Sequence, residues 1–295
     1  MSTITNILIA YDGSKSADSA IDDLRNAGLE ASGVNATVIS VAEVWLPPET
    51  MSDADLPTEG MRSHLDANLK TFENVKDSNA RAVERVRNLF PAWNVQAFVT
   101  SGSAAWEILI KAGEMKAELI VIGAQGLSAV DRILIGSVSS KVVNEAPCSV
   151  HVARGRVEVD GSAPRIVIAF DGSEGSDAAV DAVLARKWPA ATEVRLVVAN
   201  DGASRFDAED DGFKAVVTSV IDRLTASGLK AQKSIIAGTP KQVIIKEAEA
   251  FSADCIFIGS AGHSSRLSQM LLGTVSSAVV TRAHCSVEVV KAKKS

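Results

Sequence analysis

Short apolar runs alternate along the chain with segments in which apolar residues recur at helical spacing. In the first half, the apolar runs predict strands near residues 5–11, 34–42, 95–101, 118–123 and 148–153. The intervening segments predict helices near residues 14–28, 62–88, 103–115 and 137–146. Runs such as AELIVIG are apolar at almost every position, as in parallel strands that helices cover on both faces. This alternation of strand and helix predicts a doubly wound α/β fold.

The chain carries this pattern twice. Three segments of the first half recur in the second: ILIAYDGSKSADSAIDDL as IVIAFDGSEGSDAAVDAVL, AELIVIGAQG as ADCIFIGSAG, and GSVSSKVVNEAPCSVHV as GTVSSAVVTRAHCSVEV. The offsets between the copies are 159, 136 and 137 residues. We therefore predict two domains, each with a five-stranded parallel sheet, at residues 1–153 and 165–295, joined by a linker at residues 154–164.

The change of offset means that the first half carries about twenty extra residues. We place them in the stretch WLPPETMSDADLPTEGM, residues 45–61, whose prolines, acidic residues and lack of periodicity predict a long loop. The segment from Trp45 to Pro48 allows two interpretations. Either it packs over a ligand site or docks a partner, or it only anchors the loop.

The composition excludes several classes of protein. A formal net charge of −6 lacks the basic balance of a nucleic-acid-binding surface, so we expect no nucleic-acid partner. No run of 18 apolar residues occurs and the start MSTITNILIAYDGS does not resemble a signal peptide, so we expect no membrane association. The three cysteines lie in apolar runs without CxxC spacing, which indicates buried thiols in a reducing compartment. We expect a cytoplasmic protein.

Two segments of each half follow strands at the sheet edge where ligands bind in open parallel sheets. The first is YDGS, which contains Asp12, and the second is Gly123-x2-Gly126-x9-Gly136-Ser137. The glycines permit positive φ angles and close backbone approach, while the helix that begins at Gly136-Ser137 directs free N–H groups at an anion. Asp12 can accept a hydrogen bond from a base amine or a sugar hydroxyl. The alternative is that the glycines only form turns and Asp12 only caps the first helix.

The combination of Tyr/Phe-Asp-Gly-Ser, Gly-x2-Gly-x9-Gly-Ser and a closing Ala-Pro-Cys-Ser-Val strand resembles the universal stress protein family, once per half. The resemblance implies two tandem Rossmann-like, adenine nucleotide alpha hydrolase-like domains. It also implies ATP as ligand, with the glycine signature on the phosphates and the adenosine held by the strand-one Asp and the end of the second strand. In the first half these positions are Asp12, Val41, Gly123, Gly126, Gly136 and Ser137.

The second half departs from this pattern. Ten residues, HSSRLSQMLL, separate its second and third glycines, where the first half has nine. The extra residue either is absorbed in the exposed middle of the loop or displaces the phosphate-binding amides. Nucleotide binding in this half therefore stays open. The corresponding positions are Asp171, Ala199, Gly259, Gly262, Gly273 and Thr274.

Family members dimerise through the last strand of the sheet. Here the last strands are CSVHVAR and CSVEVVK, which would be exposed edges in isolated domains. The resemblance therefore implies that the two halves pair with each other as a pseudo-twofold dimer within one chain. His151 and His284 lie beside these strands' cysteines, and we expect structural roles for both.

Motifs of the common enzyme classes are missing from the sequence. GxxxxGK[ST], HExxH and GxSxG do not occur, and the adenylating ATP pyrophosphatases resemble one another in SGGxDS, where this chain has DGSKSAD and DGSEGSD. Slow ATP hydrolysis stays open, because Asp12 or Asp171 can help to hold a phosphate-bound Mg²⁺, but no general base is evident. Two hypotheses remain: an ATP-binding stress sensor that acts on a protein partner, and a nucleotide-independent interaction module.

Overall fold

The structure is a computed structural model that describes residues 4–47, 59–126, 135–154, 162–201, 210–260 and 272–292. In the first half the elements are β1 (Asn6–Ala10), α1 (Lys15–Asp23), β2 (Asn35–Ala42), α2 (Glu59–Leu89), β3 (Asn94–Ser101), α3 (Ala104–Glu114), β4 (Leu119–Gly123), α4 (Ser137–Glu145) and β5 (Ser149–Ala153). In the second half they are β6 (Arg165–Ala169), α5 (Glu174–Leu184), β7 (Glu193–Asn200), α6 (Asp211–Ala226), β8 (Lys230–Ala237), α7 (Pro240–Ala250), β9 (Cys255–Gly259), α8 (Thr274–Arg282) and β10 (Ser286–Val290).

The strands form one sheet in the order β3-β2-β1-β4-β5-β10-β9-β6-β7-β8. All neighbours within each half are parallel, and the strand order reverses between β1 and β4 and again between β6 and β9. The two predicted doubly wound domains are therefore confirmed. The reversal point also brings together the two loops that the sequence singles out, because a crevice opens there beyond the carboxyl ends of the strands.

Helices cover both faces of the sheet, so strand residues alternate between two apolar layers. Ile7 and Ile9 pack under α1 and α2, whereas Leu8 and Ala10 belong to a core on the opposite face. That second core runs through both halves without interruption, and it includes Val152 of β5 as well as Val287 of β10. On this face the two halves share one core, whereas on the other face each half has a core of its own.

Helix α2 is much longer than its counterpart α6, at 31 residues against 16. Its buried side chains are Asn79, Ala82, Val83 and Val86, so only its C-terminal third packs on the sheet. The prediction that the extra residues form a loop is therefore partly wrong. Residues 59–61 already belong to the helix, and residues 48–58 lie outside the described part of the chain. No side chain before Asn79 is buried in this helix, and charged pairs at helical spacing, such as Glu73 with Lys76, lie on its surface instead.

The antiparallel pair of β5 and β10 joins the two halves within one chain, as the resemblance implies. His151 stands opposite Glu288, and Val152 opposite Val287. The helices are also tied across this pair. The side chain of Arg154, at the end of β5, donates to the carbonyls of Val280 and Thr281 at the end of α8 (2.6 and 3.0 Å).

A group of buried charged side chains, here called the interface cluster, lies where α1 and the segment after α5 cover the β5–β10 pair. It consists of Asp23, His151, Arg186 and Glu288. The imidazole of His151 contacts Asp23 through Nε2 (2.7 Å) and Glu288 through Nδ1 (3.3 Å). Arg186 donates to Glu288 Oε1 (2.5 Å) and to the carbonyl of Ala27 (2.5 Å). Each half supplies one acid and one base.

The cluster is built around a protonated histidine. Burial opposes a charge on His151, but its hydrogen bonds with Asp23, Cys255 and Glu288 outweigh that effect and raise the pKa of His151 well above its ordinary value of 6.5. Burial likewise opposes a charge on Glu288, yet the neighbouring Arg186 and His151 lower the pKa of its carboxyl. Two carboxylates are thus balanced by two cations in a water-excluded space.

Candidate functional site

The loop after β1 is a tight turn that leads into α1. The φ angle of Gly13 is 82°, a conformation that favours glycine, and the Oδ1 of Asp12 accepts the N–H of Ser14 (2.9 Å). Ser14 is the N-cap of α1, since its Oγ accepts the N–H of Ala17 (3.1 Å). The side chain that caps α1 is therefore Ser14, and a ligand role for Asp12 stays a prediction. Asp12 shapes the turn, and its carboxylate stays exposed at the crevice.

The loop after β4 lies directly against this turn. A Cβ atom on Gly126 would lie 2.9 Å from Asp12 Oδ2, and a Cβ on Gly123 would lie 2.6 Å from Ser16 Oγ. Neither glycine has a positive φ angle, and of the two properties that glycine permits, the structure shows the close backbone approach at Gly123. A Cβ on Gly123 would also lie 2.9 Å from the backbone carbonyl carbon of Ser16, which cannot turn away, whereas the carboxylate that faces Gly126 can.

The start of α4 completes the crevice. The N–H of Gly136 donates to the carbonyl of Ala124 (2.7 Å), and a Cβ on Gly136 would lie 3.7 Å from the nitrogen of Gly126. Gly136 is also the N-cap of α4 and, having no side chain, supplies no capping hydrogen bond. The first N–H groups of α4, beginning at Ser137, therefore point into the crevice without intrahelical acceptors, at the positive end of the helix dipole.

Val41 lies at the same edge, one residue before the end of β2. It is half-buried, stands beside Thr100 of β3 and packs on the core between the sheet and α3. The end of β2 is tied to the turn of Asp12, because Ser40 Oγ donates to the carbonyl of Tyr11 (2.7 Å). Asn79 of α2 in turn donates to Ser40 Oγ (2.9 Å). Five predicted positions thus lie at the edge formed by the carboxyl ends of β1, β2 and β4 and by the start of α4, and Gly123 sets the approach of α1 to β4.

The second half repeats this geometry. Asp171 Oδ1 accepts the N–H of Ser173 (3.0 Å), as Asp12 does with Ser14. A Cβ on Gly259 would lie 2.5 Å from the carbonyl carbon of Gly175, and the N–H of Gly273 donates to the carbonyl of Ser260 (2.7 Å). Ala199 is one residue before the end of β7, which matches Val41, and Thr274 opens α8. Gly262 lies outside the described residues.

The comparison with known families agrees with this geometry. The family model described as "Universal stress protein family" matches residues 3–154 and again residues 163–291. The chain belongs to the universal stress protein family. Each match spans one complete set of five strands, so this is a tandem member with two domains.

Individual relatives cover one domain each or the whole chain. A universal stress protein of Thermus aquaticus is 34% identical over 148 residues, which is 50% of this chain and 97% of that protein. One of Methanocaldococcus jannaschii is 30% identical over 150 residues, 50% of this chain and 81% of that protein. The crystal structure of a universal stress protein from Archaeoglobus fulgidus covers 98% of both chains with a TM-score of 0.67 at 21% identity, and so shares the tandem fold.

Sequence reasoning missed several residues that build the first crevice. Ser16, Ser40 and Asn79 hold its loops in place, and the N–H of Gln125 donates to Ser16 Oγ (3.3 Å). Asn79 left a signal, since it is a polar residue in phase with the buried positions Ala82 and Val86 of its helix. The serines left none, because small polar residues at strand and helix ends serve many purposes.

Other predicted features fall beside the crevice or away from it. Trp45 is anchored through its backbone, since Asn68 of α2 donates to its carbonyl (2.8 Å), and its side chain is 55% exposed.

Cys255 and Cys285 are buried and Cys148 is half-buried, all as free thiols, and burial raises the pKa of Cys148 to about 12. In the described ranges, no helix is long and apolar enough to cross a membrane, and no three His, Cys, Asp or Glu side chains form a metal site.

Proposed function

We propose that this universal stress protein binds ATP in the crevice of its first domain and acts as a nucleotide-dependent regulator rather than an enzyme. In this proposal the backbone N–H groups of Gly126 and Gly136 and the hydroxyl of Ser137 take the phosphates. Asp12 and Val41 hold the adenosine, with Val41 as the apolar surface for the base. This assignment follows what the resemblance to the family implies for each position.

One observation carries the proposal: the turn of Asp12, the loop of Gly126 and the uncapped start of α4 converge within hydrogen-bonding distances of one another. A Cβ on Gly126 would lie 2.9 Å from Asp12 Oδ2, and a Cβ on Gly136 would be in ordinary van der Waals contact, 3.7 Å from the nitrogen of Gly126. A helix start with no capping side chain, beside a glycine loop at a switch point, is suited to a phosphate chain.

Mg²⁺ would enter this site with the nucleotide. Mg²⁺ is commonly bound by one or two carboxylates together with substrate phosphates, and Asp12 supplies one exposed carboxylate at the crevice. Asp12 is therefore the protein group that would help to hold a phosphate-bound Mg²⁺, and in that arrangement Val41 and the end of β2 would hold the adenosine without it. Such an ion would offset the charge between that carboxylate and the phosphates.

The second domain offers a second site, with Asp171, Ala199, Gly259, Gly262, Gly273 and Thr274 in the corresponding positions. The turn after β6 and the hydrogen bond from Gly273 to Ser260 at the start of α8 match the first domain, while residues 261–271 lie outside the described part of the chain. The smaller Ala199 gives an adenine less contact than Val41 does. The ten-residue spacing before Gly273 leaves the number of nucleotides per chain to measurement.

We assign a regulatory role because the first crevice holds an exposed carboxylate and hydroxyl but, among its described residues, no histidine placed as a base. A bound phosphate chain would contact the β1 turn, the β4 loop and the start of α4 together. It would thus fix the relative positions of three surface segments, and this altered surface is what a protein partner would recognise.

The test is a calorimetric titration of the nucleotide-free chain with Mg-ATP. We expect one or two sites per chain. Gly126→Val should abolish binding at the first site, because its side chain would meet Asp12. The matched control is Gly113→Val on α3, where a Cβ has no neighbour within 4 Å. Absence of binding up to millimolar ATP, with a folded chain by circular dichroism, would overturn the proposal in favour of a nucleotide-independent interaction module.

A further inference from the structure

Two large apolar side chains are exposed next to each other on α3 of the first domain. Trp106 is 53% exposed and Ile110 is 49% exposed. Because they lie four residues apart on one helix, they are neighbours on the same face of it. Single exposed apolar residues are ordinary at a protein surface, whereas adjacent ones form a patch that another helix can cover.

A charged pair on α4 borders this apolar pair. The helices α3 and α4 lie on the same face of the sheet and pack on each other, and the ammonium group of Lys141 lies 4.3 Å from the ring centroid of Trp106. Glu145 follows Lys141 by four residues, the same spacing that separates Ile110 from Trp106. Both helices lead from the carboxyl end of one parallel strand to the start of the next, so they run in the same direction. Along that direction the tryptophan and the lysine come first, and the isoleucine and the glutamate follow one turn later.

The second domain builds the same two helices without this surface. Its α7 and α8 carry other residues at the four corresponding positions: Gln242, Lys246, Ala278 and Arg282. The apolar pair is therefore replaced by polar residues, and the two charges in this set have the same sign. Because α7 and α8 form with these residues, the fold does not require the apolar pair or the charged pair of the first domain.

The four side chains of the first domain are complementary to a second copy of themselves. Two such surfaces can meet with their helices antiparallel, about a twofold axis that passes midway between Trp106 and Ile110. Trp106 of each copy then meets Ile110 of the other, and this contact removes apolar surface from water. The same axis places Lys141 of each copy opposite Glu145 of the other, so opposite charges meet at both ends. An interface of this kind closes after two copies.

We propose that this helix face, with Trp106 and Ile110 on α3 and Lys141 and Glu145 on α4, is a surface through which two copies of the chain associate. Stable interfaces bury about 1,200–2,000 Å² in total. Helix α3 has 11 residues and is about 16 Å long, so the contact is small and the dimer forms reversibly. The surface is separate from the β5–β10 pair that joins the domains, and its use does not depend on the proposed nucleotide site.

The first test is sedimentation equilibrium of the whole nucleotide-free chain at concentrations up to about 1 mM. We expect a monomer–dimer equilibrium for the wild type. The double variant Trp106→Gln, Ile110→Lys introduces the residues of the second domain and should weaken association at least about tenfold. Val216→Gln is the matched control, because it removes an apolar side chain that is 46% exposed on α6, and it should leave association unchanged.

Charge reversal tests the antiparallel arrangement. Lys141→Glu gives each copy two carboxylates at this surface, and Glu145→Lys gives each copy two ammonium groups, so each variant alone should associate about tenfold more weakly than the wild type. An equimolar mixture of the two variants should associate again, because carboxylates then face ammonium groups, and added salt should weaken that association. Lys246→Glu, exposed on α7, is the control for a change of charge in the second domain.

Several outcomes would overturn the inference. A wild type that stays monomeric at about 1 mM would mean that this face serves a different protein or none. Dimers that survive the double variant would place the contact elsewhere on the chain. If the two charge variants are folded by circular dichroism but their mixture associates no better than either alone, the antiparallel pairing is wrong, and the proposal fails with it.

Discussion

His151 and Glu288 occupy equivalent positions in the two domains, and they face each other across the antiparallel pair of β5 and β10. Two identical domains would place the same residue on both sides of this axis. Here the pair is a base and an acid, with Nδ1 of His151 at 3.3 Å from the carboxylate of Glu288. Asp23 and Arg186 add a second acid and a second base to this pair. The interface cluster therefore favours pairing of the first domain with the second over pairing of either domain with a copy of itself.

The first prediction concerns the pH dependence of stability. Because the pKa of His151 is raised above its unfolded value near 6.5, its contribution to stability is complete below about pH 6.5. That contribution is lost as the pH rises through the folded-state pKa. We therefore expect the free energy of unfolding to fall on the alkaline side of neutrality, as urea unfolding at a series of pH values would measure.

A variant isolates this effect from other titrating groups. His151→Gln leaves the buried carboxylates of Asp23 and Glu288 with less counter-charge, so it should cost about 3 kcal/mol near neutral pH. Its difference from the wild type should shrink as the pH rises. His284→Gln is the control, because His284 is 56% exposed and pairs with Glu249 at the surface. A difference that stayed constant with pH would mean that His151 is neutral in the folded chain.

The sequence predicts the strands well because their signal is local. Runs such as NILIA and LIVIG are buried on both faces, and the predicted bounds differ from the observed ones by a residue or so. The internal repeat also indicates the pairing of the last strands. The interface cluster has no such signal, since His151 and Asp23 are 128 residues apart and meet only through the strand order. Nothing local marks Arg186 as the partner of Glu288.

The second prediction concerns the ties between the domains. Arg154 donates to carbonyls at the end of α8, and at the corresponding position Lys291 donates to the carbonyl of Ala146, which follows α4 (2.6 Å). Each cation sits at the negative end of a helix in the other domain. Arg154→Met and Lys291→Met should each cost about 1–2 kcal/mol, measured by urea unfolding.

The exposed Lys230→Met at the start of β8 is the matched control for these ties and should change stability little. The double variant of Arg154 and Lys291 should also broaden the unfolding transition or split it in two, because it weakens two of the links between the domains. A single transition of unchanged steepness, together with losses below those of the control, would contradict the role of these cations as ties.

The sequence predicts only some of the residues that build the crevice, because only some of them follow a pattern that can be recognised along the chain. Asp12 and the glycine signature are recognisable because their types and spacing are fixed by backbone geometry. The structure shows no positive φ angle at Gly123 or Gly126, and spacing alone cannot tell a turn from a close approach. The latter depends on where α1 lies, which is a tertiary property.

The last prediction tests close approach at these glycines. A Cβ on Gly259 would stand 2.5 Å from the carbonyl carbon and 2.6 Å from the carbonyl oxygen of Gly175, and backbone atoms cannot rotate away as a side chain can. Gly259→Ala should therefore force α5 away from β9 and cost at least about 2 kcal/mol. Gly113→Ala lies in a helix with open space and should instead gain about 0.5–1 kcal/mol. The measurement is thermal unfolding of the two variants. If Gly259→Ala is as stable as the wild type, α5 and β9 must lie further apart than the 2.5 Å between that Cβ and the carbonyl carbon of Gly175 implies. Close contact between α1 and Gly123 would then no longer explain the glycine of the first domain.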